Sequence, residues 1–234
     1  MSKRQFVADE PELMDRPDAS PAELEAALRS LQGLNRYFGS YRVVCRFMRR
    51  WLKPGGHARV LDLATGSADI PRVIADYARK VGAKVEITAV DFQPTTIATA
   101  QRMSARYPEI TCACADVLSF EDAEPFDIVI CSLALHHFSD EDGVQLLERA
   151  RKLSRGRVLI SDLRRGWLVR VGVQLLTALI FRDRMTREDG RASAARAFSF
   201  DELRALASRA GWREFGAAKF LFARQAIWLE PKEP

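Results

Sequence analysis

The feature that most constrains this chain is a rhythm that sets in at Ala58. Short apolar runs at 58–63, 84–90, 110–115, 126–131 and 156–162 alternate with helical patterns at about 69–82, 94–107 and 141–153. Strand and helix in alternation imply a parallel sheet with right-handed crossovers, and a ligand then belongs in the crevice beyond the carboxyl ends of the strands. The stretch Arg59–Asp69, Arg-Val-Leu-Asp-Leu-Ala-Thr-Gly-Ser-Ala-Asp, is the first delivery to that crevice: an apolar run, an acid, a turn of small residues, then a helix.

The flanks read differently. Residues 1–20, with Pro11 and Pro17, form an irregular arm. Ser20-Pro21-Ala22-Glu23 then opens a helix, with Ser as N-cap, Pro in the first turn and Glu three residues on, running to about Leu31. Gly33 and Gly39 interrupt before a second helix, Tyr41–Leu52, whose Val44, Phe47, Met48 and Trp51 fall at helical spacing. After the fifth strand, residues 167–181 make an apolar helix candidate flanked by Arg164, Arg165, Arg182 and Arg184. With Arg170 inside it, it is too short for a bilayer, which takes about 20 residues. A polar loop over 183–197, a capped helix from Ser199 to Ala210 and strand-like runs near 213–220 and 222–229 complete the chain. No linker interrupts the 234 residues, so one domain over 21–234 is expected. It divides into a helical cover (21–56), a core (57–163), an insertion (164–198) and a closing helix and hairpin (199–234).

Charge is uneven. The net is +5, yet Arg149–Arg191 alone carries twelve Arg and Lys against four acids. Such asymmetry suits nucleic acid, an anionic membrane surface or an acidic substrate, and equally a set of solvated helix faces. Its neighbours are Leu, Val and Ile rather than aromatics that stack on bases, which argues against nucleic acid. Cys45, Cys112, Cys114 and Cys131 lack paired CxxC spacing and the chain has three histidines, so no metal is expected. The N-terminus lacks the apolar core of a signal peptide, and a reducing cytoplasm is the expected compartment.

Three acids end the first three strands: Asp62, Asp91 and Asp116. A carboxylate after the second strand is placed to accept both protons of a ribose diol. Asp116 could accept from an adenine amine, Phe92 could lie on the purine face, and Gly66 lets backbone approach a ligand closely. The series Asp62-Leu-Ala64-Thr-Gly66-Ser-Ala68, Asp91-Phe92, Asp116-Val117 and Phe126-Asp127-Ile-Val-Ile-Cys-Ser-Leu-Ala-Leu-His136-His137-Phe138 resembles the class I S-adenosylmethionine-dependent methyltransferases. The last phrase is similar to the small-molecule branch that includes ubiquinone and menaquinone methyltransferases. Of the family's three glycines in the first motif, only Gly66 is kept.

The resemblance implies a Rossmann-like, doubly wound α/β fold: a seven-stranded, mostly parallel sheet whose last strand is antiparallel, with N-terminal helices and a helical lid over 164–198. It implies S-adenosylmethionine as cofactor, held by Asp62, Ala64, Thr65, Gly66, Asp69, Asp91, Phe92, Asp116, Val117 and Ser132. The acceptor would be a small aromatic or lipophilic metabolite, as in quinone or polyketide biosynthesis, with Tyr37, Arg165 and Trp167 as contacts. His136, His137 or Asp162 could take a proton from its hydroxyl. Residues 164–184 could also dock on a membrane surface. A dinucleotide-binding oxidoreductase is the competitor, but Asp69 stands where a pyrophosphate would sit. The basic segment also leaves room for a nucleic-acid-modifying protein, and the acids for a cofactor-binding scaffold without catalysis.

Overall fold

The computed structural model describes residues 3–7, 10–16, 18–179 and 184–231. One seven-stranded sheet runs through it: β1 (His57–Leu63), β2 (Lys84–Asp91), β3 (Ile110–Cys114), β4 (Phe126–Ser132), β5 (Ser154–Leu163), β6 (Gly216–Lys219) and β7 (Arg224–Leu229). Their order across the sheet is β3-β2-β1-β4-β5-β7-β6. The first five pair in parallel, and β7 runs antiparallel to both β5 and β6. The order reverses beside β1, so the ends of β1, β2 and β4 open a crevice at the switch point. Parallel strands covered on both faces should be apolar throughout, and Val60, Leu61, Leu63, Ile128, Val129, Ile130, Val158, Leu159 and Ile160 are all fully buried.

Helices α1 (Pro21–Tyr37), α2 (Ser40–Trp51), α3 (Asp69–Val81), α4 (Pro94–Met103), α5 (Asp140–Lys152), α6 (Trp167–Leu179), α7 (Arg184–Arg196) and α8 (Phe200–Arg209) surround the sheet. Helix α2 lays Val44, Phe47, Met48 and Trp51 on one sheet face with Ile74 and Ala78 of α3. On the other face Leu146 and Leu147 of α5 pack with Leu203 and Leu206 of α8. Helix α3 ends at Gly82, whose left-handed φ of 69° lets its N–H reach back to the last carbonyls. Helix α8 starts on a complete capping box, Ser199 with Glu202.

Three expectations need correction. Helix α1 runs past Leu31 to Tyr37, through Gly33, because an open surface site lets a helix keep a glycine at a cost of only about 1 kcal/mol. Ser20 holds the N-cap position, but its side chain makes no capping bond. The expected loop over 183–197 is helix α7, whose buried face is polar: Thr186, Asp189 and Arg196 point inward with Met185 and Ala194. A buried stripe of that composition leaves no apolar periodicity to read. The last residues of the apolar helix candidate, 180–181, and Arg182 lie outside the described residues.

The N-terminal arm is pinned across the sheet's carboxyl end. Arg4 donates to the carbonyls of Phe138, His136 and Arg196 and to Asp140, and its guanidinium lies 3.7 Å from the Phe198 ring centroid. Leu13 and Met14 donate their N–H groups to Asp189 on α7, which caps the short 3-10 turn Leu13–Asp15. Arg196 reaches the Glu10 carbonyl from the same helix. Among the described residues no helix is long and apolar enough to cross a membrane.

Candidate active site

A cavity of about 750 Å³ opens where the strands end. Its floor is the β1–α3 turn and the ends of β2, β3 and β4, and its roof is the arm, α1, α6, α7 and the β6–β7 turn. That volume lies toward the upper end of the ~300–1,000 Å³ of small-molecule sites. A second depression, about 530 Å³, lies at the opposite end of β1–β3, with His57, Lys84, Glu86 and Glu109 on its walls. It carries none of the clustered acids or the dyad described below.

The β1–α3 turn is built from three left-handed corners at alternate residues. Ala64, Gly66 and Ala68 each have φ of 56°. The two alanines therefore adopt the conformation that glycine favours, at a cost of roughly 1–2 kcal/mol each. The turn is held in shape by acids. Asp91 takes the Gly66 N–H at 2.9 Å and the Gln93 N–H at 3.2 Å, and Asp62 takes the Thr65 hydroxyl at 2.6 Å. Asp69 accepts from Asn35 and from Tyr41, both at 2.9 Å, which ties α1 and α2 to the start of α3.

These carboxylates are crowded together and cut off from water. Burial pushes the Asp62 carboxyl up to about 8, against the Thr65 hydrogen bond, with Asp69 and Asp91 adding to the rise. Asp91 is raised by burial too, with the Gly66 and Gln93 N–H groups opposing it. A cluster of this kind favours a cationic ligand over a phosphate. Ala64, Thr65, Gly66, Asp69, Asp91, Phe92, Asp116, Val117 and Ser132 all line the cavity, where cofactor contacts are expected. Asp62 does not: it lies beneath the turn and braces it. Ser132 brings a buried hydroxyl that has no hydrogen-bond partner among the described residues.

Beyond Ser132, a 3-10 turn (Leu135–His137) carries two imidazoles whose ring centroids are 4.4 Å apart. His136 Nδ1 lies 2.7 Å from Asp162 Oδ1, and Asp162 Oδ2 accepts the His136 backbone N–H at 2.9 Å. Burial alone would raise the Asp162 carboxyl, but His136 beside it and the Leu163 N–H bring it below its ordinary value. With Asp162 Oδ1 at Nδ1, the remaining ring nitrogen of His136 is Nε2, 4.0 Å from Glu12 Oε1. Asp162 is thus no helix cap and lines no part of the cavity.

His137 is held differently. Its Nδ1 lies 2.7 Å from Asp15 and its Nε2 3.8 Å from Glu12, both brought by the arm. Burial opposes the charge, but Glu12 and Asp15 raise its pKa to about 9, so it is an imidazolium at neutral pH. Glu12 is itself buried and takes the Ser193 hydroxyl at 3.0 Å. Glu12, His136 and His137 place one ligand atom each within 4.8 Å of the others, a spacing that can hold a metal ion. Asp15 at His137 Nδ1 and the Ser193 bond to Glu12 engage two of these three groups.

Three expected substrate contacts fall elsewhere. Tyr37 ends α1 pointing outward, 67 % exposed, with Arg36 over its ring. Trp167 is 72 % exposed on the outer face of α6. Arg165 is buried, donating to the Ala197 carbonyl and to Glu202, where it fastens α8 to the end of β5. The cavity wall is made instead by Phe38, Leu31, Leu34, Val169 and Val173, with Arg224 among them. No pattern in the sequence signals Glu12, Asp15, Asp189 or Arg224. The i, i+4 spacing of Val169, Val173 and Thr177 is the visible trace of α6's inner face.

Residues 60–156 match a family model described as a methyltransferase domain. The fold is similar to that of a SAM dependent methyltransferase from Aquifex aeolicus, with 16 % identity and a TM-score of 0.63 over 90 % of this chain and 97 % of that one. It is similar to the plantazolicin methyltransferase BpumL solved with SAH (S-adenosylhomocysteine), at 12 % identity and a TM-score of 0.69 over 94 % and 93 %. It is also similar to human N-acetylserotonin methyltransferase solved with SAM (S-adenosylmethionine), at 21 % identity and 0.67 over 96 % of this chain and 60 % of that one. None of the curated protein sequences matches the chain. At such identities the structural likeness speaks for the fold, and the methyltransferase-domain match covers residues 60–156 of the chain.

Proposed function

We propose that this chain is a class I S-adenosylmethionine-dependent methyltransferase that methylates an oxygen, or a carbon, of a small aromatic or lipophilic metabolite. The observation that carries this reading is a single cavity that joins the acid-lined turn at β1–α3 to an apolar chamber with His136, held by Asp162 at Nδ1, among its lining residues. When bound, S-adenosylmethionine supplies the methyl group on an already activated sulfonium.

The residues fit such a cofactor. Gly66 and its neighbours offer a close backbone approach, and the unpartnered Ser132 hydroxyl can bond a polar group there. Asp69 and Asp91 suit a cation, and Asp91 keeps acceptor capacity for a diol beyond its two backbone bonds. Phe92, more than half exposed along the cavity rim, offers a flat apolar face, and Asp116 stands beside it.

The chain's own chemical contribution is positioning, water exclusion and one proton transfer. Asp162 holds the ring of His136 at Nδ1, and Nε2 takes the proton of an acceptor hydroxyl. His137 cannot share this work, since Glu12 and Asp15 keep it protonated. It holds the arm down over the chamber instead. The related structures whose names mention plantazolicin and N-acetylserotonin support a small organic acceptor.

In the basic segment Arg149, Arg155, Arg165 and Arg184 are engaged with Glu121, Asp127, Glu202 and Glu188, which favours helix faces paired within the fold. The outer face of α6, with Trp167, Val171 and Leu175 exposed, favours peripheral contact with a membrane that stores a lipophilic acceptor. Transfer of labelled methyl from S-adenosylmethionine into a metabolite extract tests the reading. We expect an organic-soluble product and a rate lowered by about 10²–10⁴ in His136→Gln. Label appearing in nucleic acid, or nowhere, would refute it.

A further inference from the structure

We propose that Arg224 is the anchor for a carboxylate on the acceptor, so that the substrate is an amphipathic organic acid. This deepens the methyltransferase reading and rests on it. Arg224 opens β7, opposite Leu163 of β5, and its side chain forms part of the cavity wall although the residue is only 6 % exposed. Its Nε donates to the Phe38 carbonyl at 3.1 Å. Among the described residues no acceptor meets its two terminal nitrogens and no carboxylate lies within ion-pair distance. The nearby acids are already engaged: Asp162 by His136, Glu12 by Ser193, Asp15 by His137 and Asp189 by the arm. Burial, eased by the field of Asp162, holds the guanidinium down to about 10, still a cation at neutral pH.

A buried cation without a partner is costly, and a fold keeps one where a ligand completes it. Four unpaired N–H donors in one plane match the two oxygens of a carboxylate. Around them stand Phe38, Leu163, Val169 and Val173, which would clothe an apolar body. The same chemistry could come from the cofactor's own carboxylate, but Arg224 is on β7, three strands across the sheet from β1 and its β1–α3 turn.

Benzoate titrated into protein preloaded with S-adenosylhomocysteine tests this by calorimetry, with benzyl alcohol as the uncharged control. Wild type should bind benzoate in the millimolar range, as suits a ligand of that size. Arg224→Met should weaken benzoate by about tenfold or more, leave benzyl alcohol and S-adenosylhomocysteine binding unchanged, and melt no lower than wild type because it removes an unpaired charge. Arg224→Lys, a point charge, should fall between them, and serves if the methionine variant does not fold. Equal benzoate binding in all three proteins, or none in wild type, overturns the proposal. A loss of S-adenosylhomocysteine affinity in Arg224→Met would move the anchor to the cofactor and overturn it too. Failure of wild type to bind S-adenosylhomocysteine at all would instead remove the methyltransferase reading beneath it.

Discussion

His137 ties the arm to the site through a proton, and its removal has a worked consequence. In the unfolded chain the ring titrates near 6.5, and in the folded chain near 9. Holding that proton is worth about 3 kcal/mol, and with 22 % of the side chain exposed solvent screening brings it to roughly 2 kcal/mol. Because the folded value is raised, this stability is fully present below pH 6.5 and is lost as the pH climbs through 9. His137→Gln should therefore be least stable relative to wild type in acid, and the gap should close toward alkaline pH. Asp62 and Asp189, raised by burial from 3.8 to about 8 and about 7, cost stability as the pH rises from 3.8 to those values in both proteins, so only the difference isolates His137. Urea unfolding followed by tryptophan fluorescence below, within and above that window measures it. Chymotrypsin cleavage after Leu13 gives a local reading, since wild-type cleavage should quicken with pH and the variant's should be fast throughout. A stability gap that is independent of pH, or that widens with it, refutes the assignment of the proton.

Two backbone predictions test the frame of the site. Ala64→Gly should raise unfolding stability by about 1 kcal/mol, because it releases a left-handed alanine at φ 56°, less what the freer unfolded chain loses; a lowered midpoint in denaturant would contradict it. Gly216→Ala would set a methyl carbon 2.0 Å from the Trp228 ring, and should destabilise by at least ~1–3 kcal/mol, visible as a lowered Tm; an unchanged Tm would mean the β6–β7 hairpin repacks freely.

Much of the fold is legible in the sequence because its core strands are buried on both faces and its acids fall at strand ends. Asp91, Phe92, Asp116 and Val117 follow from counting along β2 and β3, and the structure brings them to one cavity. The alanines in the first turn weaken that motif, yet they take glycine's conformation, so composition alone misjudges the loop. What escapes is everything held by long-range polar contacts. Glu12 and Asp15 sit in a proline-marked arm that looks irregular, and only their meeting with His137 gives them meaning. Helix α7 escapes because its inner face carries Asp189 and Ser193 rather than leucines. Tyr37, Arg165 and Trp167 are expected at the substrate from their neighbourhood in the chain. Their direction is set by packing: outward for the two aromatics, and into α8 for the arginine.

Calorimetric titration of S-adenosylhomocysteine into wild type and Asp91→Ala tests most directly whether the acid-lined turn is a cofactor site. Wild type should show saturable one-to-one binding, weakened about 10- to 150-fold in the variant, which loses both a ligand carboxylate and the brace on the Gly66 N–H. Wild type that binds no S-adenosylhomocysteine, or a variant that binds it equally well, would contradict that assignment.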